Sequence, residues 1–497
     1  MPPLTLPLIM RLRTQSRDAV SGNLELEDFG NILLESGDAA VKLEPGDSIY
    51  SMPKWGGRYL SSRNNPSYST GEIYFVDGQM YVQTVAPSSF NIFTARRLAL
   101  QNNGSFVGAI YTQDNSTDSA NIDAYTTKTV SDSQYVYGIH TRFYSTSTTN
   151  SSFLRRYFKT LFSLNVPTGF ALAPTVQSIR FNNQAIYDAV VVADDTILVC
   201  GMHSSGGNYR QYLGITELNQ LGVITTNFNV LLGDSSSTVY NYSYRSLAYD
   251  SASSSVFYGG GVIAGAEFGR ATVSGTTLSH IWRRRFSGVG TSKVVFADGF
   301  LYVLTSFFTG SGLSAIFQID KLTIDGGVIW RKAINPTVSA TFDQFFSDAT
   351  MWGVTYHPMG RLIVWNRAFF GGNPGAYVAS FTLDGNLVWE RGVFYPPSAF
   401  NGAQAVEVSP VDGAILILMG DGQFVHVVRM SYDGTPLRSP GPSNFYITSV
   451  AASHAAGGTP FNSASSVSNT TFTAFPSSNA LIVNSDNGFG SYSLTTF

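Results

Sequence analysis

Residues that could do chemistry are few in this chain, and they lie far apart. The six histidines, His140, His203, His280, His357, His426 and His454, show no His-x-x-x-His or His-Glu pairing, so no local metal site is encoded. Cys200 is the single cysteine; it closes the apolar run Ile197 to Cys200 and reads as a small core residue. Asp194-Asp195 is a carboxylate pair by composition, but it occupies a hairpin position between two apolar runs, where turn formation accounts for it. Gly259 to Gly261 leads from one strand toward another loop, so it lacks the helix terminus that would hold a phosphate. Gly-x-Ser-x-Gly, Gly-x-x-x-x-Gly-Lys-Ser/Thr and Asp-x-Asp-x-Asp-Gly patterns are all absent. A pair of carboxylates drawn from separate repeats, as a glycosidase would use, leaves no local motif.

The elements that would position such residues are strands. The chain has 497 residues, 43% hydrophobic and 13% aromatic, with 48 Gly, 35 Phe and 26 Tyr. Charged residues make up 13%, about half of the ~25% usual for soluble domains. A formal net charge of -3 argues against nucleic-acid binding, which needs a basic excess. No run reaches the ~18 apolar residues of a membrane span, so no membrane insertion is expected. The opening Pro2 to Met10 is short and apolar, with Arg11 and Arg13 behind it, the reverse of a secretory signal.

Between Met351 and Val393 four strands follow one another: Trp352 to Pro358, Arg361 to Trp365, Ala376 to Leu383 and Asn386 to Val393. Met359-Gly360 and Asp384-Gly385 supply tight turns. Counterparts of the second strand recur at Met80 to Val82, Tyr135 to Tyr137, Ile197 to Val199, Val256 to Tyr258, Leu301 to Val303, Leu362 to Val364, Ile415 to Ile417 and Leu481 to Val483. Three fourth strands share a tryptophan, in Ile281-Trp282-Arg283, Ile329-Trp330-Arg331 and Val388-Trp389-Glu390, placed to wedge between neighbouring repeats. The sequence stops inside the third strand of an eighth repeat, and residues 54–60, Lys-Trp-Gly-Gly-Arg-Tyr-Leu, have the character of a missing fourth strand. The expected fold is therefore all-β: a β-propeller of four-stranded antiparallel blades, eight in number with seven as the alternative, its ring closed by the amino-terminal strand.

Residues 21–46 carry a smaller repeat: Asn23-Leu24-Glu25-Leu26-Glu27, Asn31-Ile32-Leu33-Leu34-Glu35 and Ala40-Val41-Lys42-Leu43-Glu44. At a period of two, Leu24, Leu26, Ile32, Leu34, Val41 and Leu43 share one apolar face of a three-stranded meander, too small to stand alone. The expected domains are thus a docking arm over 1–48 and a propeller over 49–497, with the closing strand near 54–60 and the blades over about 70–497.

Two resemblances follow. The blades, above all Leu383-Asp384-Gly385-Asn386-Leu387-Val388-Trp389-Glu390, resemble quinoprotein-type propeller blades, whose outer strands carry such tryptophans; the enzymes of that group have adjacent cysteines and a calcium site, so with one cysteine the likeness brings no cofactor. Asn31 to Gly37 resembles the short Ile-Leu-Leu-Glu-Ser-Gly repeats that open tail and appendage proteins of tailed bacteriophages. That likeness implies a non-enzymatic virion protein, made in the host cytoplasm and held in a multi-chain assembly by its arm.

Tight turns trim one end of the repeats, whereas long connections, such as Thr141 to Ser151, Gly201 to Tyr209, Thr305 to Leu313, Arg367 to Gly375 and Ser439 to Thr470, emerge at the other. Phe143, Tyr144, Tyr209, Phe307, Phe308, Phe369 and Phe370 lie there as candidate anchors for another tail protein or a host surface glycan, with gap-filling between blades as the plainer alternative. Arg96-Arg97, Arg155-Arg156 and Arg283-Arg284-Arg285 fall on outer strands, where a solvated rim is expected. A carbohydrate-active enzyme or lectin using the ring centre is the alternative function.

Overall fold

The computed structural model describes residues 32–33, 40–41, 55–60, 70–89, 92–101, 106–114, 122–144, 151–159, 177–182, 184–205, 208–217, 227–236, 243–262, 265–286, 290–308, 315–335, 341–342, 352–370, 373–394, 400–421, 424–438, 446–449, 453–455, 461–462, 468–473, 475–476, 481–485 and 492–496. The chain divides into two compact units, Met1–Pro53 and Lys54–Phe497. In the first, Ile32–Leu33 pairs antiparallel with Ala40–Val41, and Ile32 stands opposite Val41. Those are matching positions of the sequence repeat, so the two residues share a face. Leu24, Leu26, Leu34 and Leu43 lie outside the described residues.

The second unit is all-β. Residues 70–114, 122–182, 184–236, 243–285, 290–335, 352–394 and 400–438 form seven successive antiparallel meanders, here units 1 to 7. Unit 6 shows the pattern, with strands Trp352–His357, Arg361–Phe370, Asn373–Thr382 and Leu387–Phe394. Its first and third turns hold Gly360 at φ +74° and Gly385 at φ +81°, the left-handed backbone that the sequence signals for two-residue turns.

The connection expected over 367–375 is mostly strand. Pairing continues until Phe370 stands opposite Asn373, because each added pair satisfies backbone groups that a loop would leave to water. The same extension brings Ser205 opposite Asn208, Arg142 opposite Ser151 and Phe308 opposite Ala315. Glycine assists at one joint. A Cβ on Gly260 would lie 2.0 Å from the Ser243 carbonyl oxygen, and one on Gly261 would lie 2.6 Å from that of Gly290. The run Gly259–Gly261 is thus a place of close backbone approach, where unit 4 pairs directly with unit 5.

Each unit packs on the next through its own apolar cluster. Tyr302, Leu304 and Phe317 of unit 5 meet Leu362, Val364 and Tyr377 of unit 6. Leu416, Leu418 and Val427 of unit 7 meet Ile73, Met80 and Val82 of unit 1. Five further clusters serve the other joints. First strands neighbour one another in the same cyclic order, with Phe400–Val408 beside Thr70–Val76. Cys200 is fully buried in the cluster between units 3 and 4, as its run suggests, and burial pushes its thiol pKa up.

The tryptophans act as wedges. Trp282 of unit 4 donates its indole N–H to the Ile324 carbonyl of unit 5 at 3.1 Å, Trp330 of unit 5 to Leu383 of unit 6 at 3.0 Å, and Trp389 of unit 6 to Tyr432 of unit 7 at 2.7 Å. Each acceptor directly precedes an Asp-Gly turn, whose glycine lies against the indole. Between units 3 and 4 the same bond comes from Asn229, which donates Nδ2 to the Thr276 carbonyl at 2.6 Å.

The first and last strands of this second unit pair with each other, Trp55–Tyr59 against Tyr492–Thr496. Gly57–Leu60 also pairs with Phe424–Val427, so Trp55–Leu60 stands at the fourth-strand position of unit 7. Leu481–Ser485, expected as the second strand of an eighth repeat, pairs instead with the outer strand of unit 1. It has the apolar pattern of a repeat strand, but the segments around it extend the outer edges of other units, so no eighth meander forms among the described residues.

Candidate functional site

The first strands place one or two polar side chains each along their shared line of contact. Glu72 of unit 1 accepts the Thr129 N–H of unit 2 at 2.7 Å. Lys128 of unit 2 lies 3.1 Å from Asp188 of unit 3, whose other oxygen accepts the Leu247 N–H of unit 4 at 2.8 Å. Ser246 of unit 4 accepts the Val294 N–H of unit 5 at 3.0 Å, and Lys293 donates to the Trp352 carbonyl of unit 6. Thr355 of unit 6 donates to Glu407 of unit 7 at 3.4 Å. At the remaining joint the backbone comes close, for a Cβ on Gly71 would lie 2.4 Å from both the Gln404 amide oxygen and the Leu418 side chain.

This line of contact has uneven electrostatics. Burial pushes the Glu72 carboxyl up to about 7, partly opposed by Lys128. Burial also raises Glu407, again against the pull of Lys128. Asp188 pushes Lys128 up, so the ammonium is fixed as a cation. Near neutrality Glu72 therefore exchanges a proton while Lys128 does not. Its second oxygen, Oε2, is buried and has no hydrogen-bond partner among the described residues. Chemically, Glu72 can hold or release a proton or accept a hydroxyl. No group of three or more His, Cys, Asp or Glu among the described residues could hold a metal ion.

Nothing local in the sequence announces these charges, because Glu72, Lys128, Asp188 and Glu407 come from four different repeats. The signal that could have found them is positional: each is a charged residue in the first strand of its repeat, a mark that Asp123 of unit 2 shares.

The seven candidate aromatics all fall at the end of a second strand or the start of a third, hence at one end of their units. Tyr209 and Phe370 are not surface anchors. Tyr209 is buried with Ala185, Tyr187 and Met202, and Phe370 stacks on Phe394 at 5.3 Å. Pairing carries the strands further than the sequence suggests, so these rings fall on covered positions of the extended sheets. Phe369 is half-buried, with the Arg367 guanidinium over its ring. Phe143, Tyr144, Phe307 and Phe308 have their backbones on strands, and their side chains lie outside the described residues.

Of the basic outer-strand residues, Arg156, Arg283 and Arg285 are engaged in ion pairs, and the side chains of Arg96, Arg97 and Arg155 lie outside the described residues. Arg283 and Arg285 bind the fully buried Glu267 at 3.1 and 2.6 Å, and Arg156 binds Asp195 at 3.0 Å. The Glu267 pairs are internal rather than part of a solvated rim, since a carboxylate buried on the neighbouring strand needs a cation, whereas Asp195 is a partly exposed turn residue of the next unit that meets a buried Arg156. Asp195 holds φ +59° in its hairpin, consistent with the turn reading, and also ties unit 3 to unit 2. His357 is buried. Its Nδ1 accepts the Met359 N–H, so Nε2 carries the proton donated to the Gly413 carbonyl, and burial lowers its pKa.

No family model matches the chain, and no curated protein matches it. Among solved structures it is similar to the Dos1 propeller, at 10% identity over 72% of this chain and 78% of that one, with a TM-score of 0.39. The Nup133 β-propeller domain of Vanderwaltozyma polyspora is similar at 7% identity over 72% and 100%, TM-score 0.38. The phage phi92 endosialidase is similar at 9% identity over 79% and 75%, TM-score 0.37. The likeness is distant and concerns propeller architecture.

Proposed function

We propose that the chain is a structural and interaction protein of a tailed-phage virion, a seven-bladed propeller that its arm anchors in a multi-chain assembly. The observation that carries this reading is the arm. Even the full meander of three short strands that the repeat over residues 21–46 encodes is below the size that is stable in water, and Ile32 does stand opposite Val41, so the arm requires a partner surface. Units 1 to 7 are the blades, and Trp55–Leu60 closes the ring at the fourth place of blade 7. The end bearing Phe143, Tyr144, Phe307, Phe308 and Phe369 would meet another tail protein or a host glycan.

The test compares the full chain with one starting at Asp47, by light scattering and by co-sedimentation with the particle. Loss of incorporation by a folded, monomeric shorter chain supports the arm as anchor. Unchanged incorporation contradicts it, and so does unfolding, which would make the arm part of the propeller's own core.

One observation favours a second reading, a carbohydrate-active enzyme or lectin: Glu72, raised to about 7, with a buried oxygen that has no hydrogen-bond partner among the described residues, on the line where the blades meet. Glycan binding or cleavage by the full chain that disappears in both Glu72→Gln and Glu407→Gln would move this reading to the front.

A further inference from the structure

Residues 446–496 make one lap of the units. The segment Tyr446–Ser449 pairs with the outer strand of unit 6, Ser453–Ala455 with unit 5, Phe461–Asn462 with unit 4 and Ser468–Thr473 with unit 3. Phe475–Pro476 then pairs with unit 2, Leu481–Ser485 with unit 1, and Tyr492–Thr496 with Trp55–Tyr59 at unit 7. The segment leaves unit 7 after Pro436–Arg438, visits every other unit in the reverse of sequence order, and returns to unit 7. Every pairing is antiparallel.

We propose that this segment is a strap that locks the ring, and that the outer rim of the units is a strand-accepting surface whose occupant is the strap itself. The inference rests on the ring reading above and goes beyond it.

Three physical points carry it. An outer strand without the strap exposes a row of unpaired N–H and C=O groups, which invites pairing with another chain. The paired segments differ in sequence, Tyr-Ile-Thr-Ser at one unit and Ser-His-Ala at the next, so recognition runs through the main chain rather than through pockets. Each contact involves only two to six residues. None would persist alone, but linked contacts act at high effective concentration, and all must fail before the strap leaves. The reversed order adds a consequence for folding. The strap can be laid only after all seven units are in place, so its contacts belong to the native state and not to the folding transition state. Such contacts slow unfolding without speeding folding.

The strap also pins the strand that completes unit 7. Trp55–Leu60 is held by Phe424–Val427 on one side and by Tyr492–Thr496 on the other, so the last strap segment guards the joint where the sequence begins and ends its circuit.

The test uses the full chain. A protease site is introduced in the connection over 440–444, between the last strand of unit 7 and the first strap segment. After cutting, the two fragments should stay together in native buffer, and mild denaturant should release the strap as a whole, leaving a ring that associates through its edges. In uncut chains, proline at Thr470 or Thr471 and at Leu494 or Thr495, at whichever of each adjacent pair turns its N–H into the ladder, should speed unfolding about tenfold relative to alanine at the same position, because proline removes a ladder donor while alanine does not. Immediate release of the fragment on cutting, or equal unfolding rates for the proline and alanine variants, would overturn the strap. Failure of the ring reading has a separate signature: cysteines in place of Tyr59 and Val425, which face each other between Trp55–Leu60 and unit 7, would then not cross-link, whereas a passive strap leaves that cross-link intact.

Discussion

The joints between units 4, 5, 6 and 7 differ in kind from those between units 1, 2 and 3. The former repeat one device, an indole wedged against an Asp-Gly turn and bonded to the carbonyl before it. The latter use charge and hydroxyl groups at the turns between first and second strands: Lys159 reaches Asp77 at 2.7 Å from unit 2 to unit 1, while Asp132 and Arg156 of unit 2 hold Asp195 of unit 3. Tyr137 adds a further bond to Asp132. The joint between units 3 and 4 is the transition, with Asn229 in the place of a tryptophan. One interface can thus be built by apolar area plus one hydrogen bond or by a network of charged groups. Only the former leaves a repeating mark in the sequence.

The sharpest way to break this comparison is to truncate both kinds of joint. Trp389→Ala removes a ring that is 6% exposed together with its bond to Tyr432, and should cost about 3–5 kcal/mol in chemical denaturation. Asn229→Ala removes the bond without the area and should cost about 1–2 kcal/mol. Equal losses would mean that the indole area contributes nothing at its joint.

A finer cut separates wedge contact from turn geometry. Gly434 (φ +78°) and Gly360 (φ +74°) both require left-handed backbone. A Cβ on Gly434 would lie 2.6 Å from the Trp389 ring, while one on Gly360 meets nothing within 4 Å. Gly360→Ala should therefore cost about 1 kcal/mol of backbone strain, and Gly434→Ala clearly more, as read from thermal unfolding. Similar shifts would show that the indole yields without cost.

The smallest expected effect is electrostatic. The carboxyl of Glu72 sits at about 7 when folded, against the ordinary 4.5 of a glutamate, so between those values the folded chain holds more protons than the unfolded one. Stability from this group is present at low pH and falls as pH rises through that window. Glu72→Gln keeps an acceptor for Thr129 and should remove this slope, leaving the variant relatively more stable above pH 7 than below pH 5. Asp320, also raised to about 7 by burial, titrates over the same range, so the variant flattens the profile only in part. A profile unchanged from that of the parent chain would contradict the assignment.

Much of the fold was legible where side chains carry the signal. Asp384-Gly385 and Trp389 mark a turn and a wedge because both need particular residues, and Ile32 and Val41 match because pairing strands share a face. The burial of Cys200 follows from its apolar run. The strap was not legible, since main-chain pairing over two to six residues imposes no side-chain period; Leu481–Ser485 looked like a repeat strand for want of any other mark. The charges along the first strands stayed hidden for a different reason. Glu72, Lys128, Asp188 and Glu407 meet only when four repeats come together, and no spacing in the sequence encodes that meeting.

The central proposal is that the units form a ring closed by Trp55–Leu60 at the fourth-strand place of unit 7. It is tested most directly by one oxidation experiment on Tyr59→Cys with Val425→Cys, facing positions in that pairing, in a chain whose only native cysteine is buried. A monomeric chain that forms the intramolecular disulfide without loss of stability is the predicted result. Two free thiols that persist under oxidation, or disulfides found only between chains, would contradict the closed ring.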